Sequence, residues 1–133
     1  MKLTTKSEYS LLAMIYIARN AKEGLVKAED ICSKYGITKK YLEQMLLILK
    51  QSRLIKAKRG PNGGYELAKP ANKISVAEII RIMDGALAPT ESVSKYFFSV
   101  TAISQEKKML KVLKDIRDHI SNKLEKLKLS QLI

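Results

Sequence analysis

Residues 37–67, ITKKYLEQMLLILKQSRLIKAKRGPNGGYEL, join a helix with two usable faces to a hairpin with a basic tip. Leu42, Met45, Leu46 and Leu49 recur at i, i+3, i+4 and i+7, which lays one apolar stripe against a core. The opposite face carries Lys39, Lys40, Glu43, Gln44 and, further along, Lys50. Gly36 can take the left-handed conformation that ends a preceding helix, and the Thr38 hydroxyl is placed to cap the new one. The predicted unit is helix, tight turn, helix. Residues 54–58 and 64–68 are short strand-like runs parted by Arg59-Gly60-Pro61-Asn62-Gly63, a loop of residues that permit turns. That hairpin reads as a wing.

A second helix with a polar outer face, followed at once by a basic hairpin, is what a winged helix-turn-helix needs to read DNA. In the major groove Lys39 and Lys40 can meet guanine acceptors, Gln44 can pair with adenine, and Glu43 can accept from the cytosine amino group. Tyr41 is expected on that side too, against a phosphate. The wing tip, Arg59, Gly60 and Pro61, is expected at the backbone or minor groove, where a narrow groove favours arginine. Taken one at a time these lysines are ordinary for a solvated helix face and Arg59 for a loop. The turn and hairpin in register are what make them a reading surface.

The run YLEQMLLILKQSRLIKAKRGPNGGYELAK also resembles the signature of the Rrf-two family of bacterial winged-helix transcription regulators, with its Tyr-Leu-Glu-Gln recognition helix and Arg-Gly-Pro-x-Gly-Gly-Tyr wing. The opening MKLTTKSEYSLLAMIYIA is similar to the family's first helix. The resemblance covers about residues 1–84 well and the rest loosely.

A chain of 133 residues suits one domain with an appended element. It has no apolar run long enough for a membrane span and no secretory leader, so a cytoplasmic protein is expected. One cysteine makes no internal disulfide and supplies no zinc or iron–sulfur site by itself. The net charge of +12 points to a polyanionic partner. Residues 1–70 carry +8 of it and residues 71–133 carry +4, so the excess lies in the proposed reading half. Because 20 of the 25 basic residues are lysine, charge by itself is weak support.

Thr5-Lys6-Ser7-Glu8 fits a capping box, and Tyr9, Leu12, Ala13, Tyr16 and Ile17 then repeat at helical spacing to about Asn20. Lys2, Thr4 and Lys6 stand at this helix start, either meeting a phosphate or simply solvated. Residues 21–27 read as a connection, and residues 28–35 as the short first arm of the helix-turn-helix. Cys32 on that arm reads as a small apolar packing residue, with a redox switch as the alternative. After the wing, Ser75-Val76-Ala77-Glu78 supplies a second capping box, and Val76, Ile79, Ile80 and Met83 form one face of a fourth helix closed by Asp84-Gly85. Residues 86–101 lose periodicity and read as a folded loop whose Tyr96, Phe97 and Phe98 belong to a core or an interface.

Between Ser104 and about Lys128, Met109, Leu113, Ile116, Ile120, Leu124 and Leu127 recur in the seam pattern of helices packed along their length. We expect this stripe to pair with the same helix of a second subunit, the alternative being a fold-back over its own domain. Two heads on a twofold axis would match a palindromic operator in double-stranded DNA.

Cluster-holding members of the family carry cysteines in the loop after the fourth helix, whereas this loop has none and offers only Ser92 and Ser94. A serine hydroxyl stays protonated at neutral pH and is no substitute for thiolate on iron. Glu8 and His119 could each offer one ligand, but without thiolates they make no cluster site. The resemblance therefore implies the cluster-free branch, to which the cysteine metabolism repressor belongs, with no cofactor. That branch implies a signal taken through a partner enzyme, and a small-molecule effector is equally allowed.

The fold class expected is mainly α, a winged helix-turn-helix with a two-stranded wing and a long C-terminal dimerisation helix. The expected division is 1–84 for DNA binding, 85–103 for a loop and 104–133 for dimerisation helix and tail. The function expected is a dimeric, sequence-specific DNA-binding transcriptional regulator, a repressor. The alternative is a winged-helix interaction module for a protein or structured RNA. A single histidine, no phosphate loop opening a helix and no hydrolase serine motif argue against an enzyme.

Overall fold

Helix α1 (Thr5–Arg19) is the element on which the others lean, and the computed structural model describes it with the rest of residues 1–133. Ala13, Met14, Ile17 and Ala18 give it a buried face. Its cap is Thr4 rather than Thr5, the Thr4 hydroxyl accepting from the Ser7 N–H at 3.3 Å. The same residue ties the helix start to the end of the fourth helix, because its hydroxyl and its backbone N–H both donate to Asp84. The expected cap lies one residue late, and no reciprocal box forms, because two adjacent threonines offer the same hydroxyl and only packing chooses between them.

A 3-10 turn at Ala21–Glu23 leads to α2 (Ala28–Tyr35), which ends on Gly36 at φ 67°, the left-handed position expected of it. Helix α3 (Lys39–Gln51) buries Leu42, Met45, Leu46 and Leu49, the stripe read from the sequence. Each such side chain contributes roughly 1.5–3 kcal/mol relative to exposure. Thr38 occupies the N-cap position of α3 with extended backbone, but its side chain makes no capping hydrogen bond. At the other end Arg53 takes φ 63°, an uncommon choice for a residue with a long side chain where glycine or asparagine is usual.

Strands β1 (Ile55–Lys58) and β2 (Gly64–Leu67) pair antiparallel in the register Ile55↔Leu67 to Lys58↔Gly64. A feature not read from the sequence extends this sheet. Val26, in the segment expected to be a plain connection, forms an isolated antiparallel bridge with Tyr65, through N–H···O=C bonds of 2.9 and 2.8 Å. Gly64 makes room for it, since a Cβ there would lie 2.7 Å from the Val26 carbonyl oxygen.

Helix α4 (Val76–Asp84) starts at Ser75, whose hydroxyl accepts from the Glu78 N–H at 3.1 Å, the serine half of the expected capping box, while the Glu78 carboxylate accepts from Lys69 at 3.0 Å instead of reaching back to the cap. It packs on α1. The following loop contains two 3-10 turns, Glu91–Val93 and Ala102–Gln105, and helix α5 runs Lys107–Lys126, beginning three residues later than the periodicity suggests. Two arginines fasten this loop. Arg117 on α5 donates to the Val93 carbonyl at 3.0 Å, and the Arg81 guanidinium on α4 lies 5.0 Å from the centre of the Tyr96 ring while pairing with Glu125. The loop aromatics are nevertheless exposed and form no part of the core.

The tail corrects the sequence reading most. Beyond α5 the chain turns back, and Val76 and Leu129 exchange backbone bonds with Leu127 and Ile74 at 2.9 Å each. Leu129 is wholly buried in the main core, and Leu124 and Leu127 pack against the cluster of Val76, Ala77, Ile80 and Leu87. The chain's own domain therefore covers the lower end of the stripe, where the fold-back alternative holds for Leu124 and Leu127.

Candidate nucleic-acid interface

The α2–turn–α3 unit and the wing face a common cleft. Its volume is about 550 Å³, and its walls include Lys27, Glu29, Lys39, Glu43, Lys50, Lys58, Arg59, Pro61 and Tyr65. Five of these are cations and two are carboxylates. The sign follows from the helix repeat. Burying Leu42, Met45, Leu46 and Leu49 turns Lys39, Glu43 and Lys50 outward, and the wing then adds Lys58 and Arg59 from the other side.

Among the predicted contacts, Lys39, Glu43, Arg59, Gly60 and Pro61 are brought together in this cleft. Thr38, Lys40 and Gln44 are exposed on α3 and its cap, outside the cleft wall. Tyr41 is half-buried and stands edge-on to Tyr9 of α1, ring centres 5.4 Å apart, so its ring braces α3 against the first helix. Lys2 and Lys6 are exposed at the start of α1, and the Thr4 hydroxyl is already engaged with Ser7 and Asp84.

Residues that sequence reasoning passed over complete the site. Lys27 donates to the Pro61 carbonyl at 3.2 Å and so ties the wing tip to the entry of α2. Glu29 on α2 holds Lys39 at 2.7 Å, while Glu43 lies 4.0 Å from the same ammonium. The hydrogen bond to Lys39 keeps the Glu29 carboxyl below its ordinary range, and the same bond raises the Lys39 ammonium. Tyr65, half-buried beside these carboxylates, has its phenol pushed up mainly by desolvation and then by Glu43. Burial likewise raises the half-buried Cys32 thiol, with Glu29 adding to it. Leu25-Val26 ahead of α2 was the signal available for the wing contact, but two apolar residues are too short a run to read as a strand.

On α5 the exposed apolar side chains are Met109, Val112 and Ile116, with Tyr96, Phe97, Phe98 and Val100 exposed on the loop before it. Leu113, Ile120, Leu124 and Leu127, also on the predicted stripe, are half-buried.

Known proteins share this plan. The family Rrf2, described as iron-dependent transcriptional regulator, matches residues 3–133. The HTH-type transcriptional regulator IscR of Escherichia coli is 39% identical over 95 residues, 71% of this chain and 59% of that protein. The chain spans 58–64% of the length of the curated relatives it matches first. Among solved structures, CymR, the global cysteine regulator of B. subtilis, is 29% identical with a TM-score of 0.86, over 99% of this chain and 95% of that one. IscR of T. potens is 28% identical with a TM-score of 0.72, over 99% and 85%. These proteins are transcriptional regulators, not enzymes, as the sequence reading expected of this chain.

Proposed function

This chain belongs to the Rrf2 family of transcriptional regulators, a helix-turn-helix DNA-binding fold, and from that premise we propose that it is a homodimeric, sequence-specific repressor working in the cytoplasm without an iron–sulfur cluster. The observation that carries the reading is the cleft in which α3 and the wing converge with a surplus of cations around Glu43. Lys40, Glu43 and Gln44 read base edges in the major groove, and Arg59, Gly60 and Pro61 present the wing to the backbone or minor groove. Lys2 and Lys6 add phosphate contacts that are indifferent to sequence. The exposed stripe of Met109, Val112 and Ile116 supports a second copy along α5, whose twofold axis sets two heads on a palindromic operator.

The family description invokes iron, and the donor set of this chain does not fit an iron–sulfur cluster. The single thiol, Cys32, lies on α2. The loop's Ser92 and Ser94 are buried and already bonded, Ser92 accepting from the Thr101 hydroxyl at 3.0 Å and Ser94 from the Phe97 N–H at 2.9 Å. No three His, Cys, Asp or Glu side chains gather to hold a metal ion. The signal is then a small molecule or a partner enzyme.

In-vitro selection from random duplexes tests this reading, followed by titration of the selected site against salt and competitor DNA. The expected outcome is a palindromic consensus whose binding outlasts that of a scrambled duplex by a factor on the order of 10³ or more. Equal loss of both with rising salt would instead mark a basic module that reads no sequence.

A further inference from the structure

We propose that Glu29 on α2 is a specificity-determining residue: by holding the Lys39 ammonium it leaves the Glu43 carboxylate free to read a base and withholds Lys39 from indiscriminate phosphate contact. This rests on the reading of α3 as the recognition helix.

Lys39 and Glu43 share one face of α3 a turn apart, close enough to pair with each other. Lysine four residues ahead of glutamate is the weaker order for such a pair. Glu29 therefore prevails, at 2.7 Å against 4.0 Å. A carboxylate that accepted a full ammonium bond from Lys39 would have less to offer a cytosine amino group. A lysine without a partner on the wall of the cleft would seek phosphates, which carry no sequence information. One carboxylate on the neighbouring helix forestalls both. The directions in which the two groups' ionisation moves agree with this pairing, the Glu29 carboxyl lowered and the Lys39 ammonium raised by their mutual hydrogen bond. An ion pair this exposed contributes little to folding, so its effect is expected on recognition rather than stability.

The test compares wild type, Glu29→Gln, and Glu29→Gln combined with Lys39→Gln, by fluorescence anisotropy on the selected duplex and a scrambled one across a salt series. Glu91→Gln, an exposed loop glutamate outside every ion pair, serves as the charge control. Glu29→Gln is expected to tighten scrambled binding by up to about fivefold. It should also steepen the salt dependence by about one unit per protomer and lower the ratio of specific to scrambled affinity. Adding Lys39→Gln should return the slope to wild type. The inference is overturned if Glu29→Gln keeps the wild-type slope and ratio, whether or not its melting temperature changes, or if Glu91→Gln shifts both equally. If wild type itself shows no preference between the duplexes, the reading of α3 fails and takes this inference with it.

Discussion

Ser10 lies wholly buried on α1, and its hydroxyl has no hydrogen-bond partner. An unpaired buried hydroxyl costs about 1–3 kcal/mol. Ser10→Ala keeps the volume nearly constant and should therefore raise unfolding stability by about 1 kcal/mol in urea denaturation; a loss of stability would reveal a bond to that hydroxyl. Cys32 shows the opposite situation, a thiol whose burial raises its pKa. Because the folded state favours the protonated form, its contribution to stability is present below the unfolded-state thiol pKa and is lost as pH rises through the folded value. Alkylation of native Cys32 by iodoacetamide should accordingly be slow at neutral pH and accelerate only above the ordinary thiol range. Fast neutral labelling would favour the redox alternative. Glu43 carries the base-reading argument, so Glu43→Ala should cost on the order of 1–3 kcal/mol at one base pair of the operator. An unchanged selected consensus would remove that assignment.

Among the elements, the wing depends on backbone proximity that a sequence pattern does not encode. A Cβ on Gly63 would lie 2.2 Å from the Lys58 carbonyl oxygen, and one on Gly64 would press on the Val26 carbonyl from a backbone at φ 158°. Gly64→Ala should thus destabilise the fold by about 1–3 kcal/mol and weaken DNA binding, with amide exchange quickening at Val26 and Tyr65 before it does on α3. Slower exchange there, or none of these changes, would mean that the Val26–Tyr65 bridge does not anchor the wing. The α3 stripe and the Gly36 turn were legible because each is a local rule, a 3.6-residue period and a left-handed stop. The cap at Thr4 was not, since its second role, the pair of bonds to Asp84, joins residues far apart in sequence. Glu29 went unread for the same reason, as nothing on α2 announces that its carboxylate meets an ammonium on the next helix.

For the whole molecule the deciding question is what covers the upper half of α5. Leu124, Leu127 and Leu129 are taken up by the chain's own packing, while Met109, Val112 and Ile116 remain exposed. In the proposed dimer Ile116 would enter the seam, where a charge is costly, so Ile116→Glu should convert that dimer to a monomer by sedimentation at working concentrations with its helical spectrum intact. It should also weaken operator binding far more than half-site binding. A wild-type monomer under the same conditions would sink the twofold arrangement.

By itself the sequence determined the helix-turn-helix, the wing, the apolar face of α3 and the polar face opposite, because these follow from periodicity and turn chemistry within a few residues. Tertiary structure alone decided which threonine caps α1, that Val26 joins the wing, that the tail seals the core, and that Glu29 engages Lys39. Each of these is a contact between segments distant along the chain, and such contacts depend on where packing brings backbones together rather than on any local repeat.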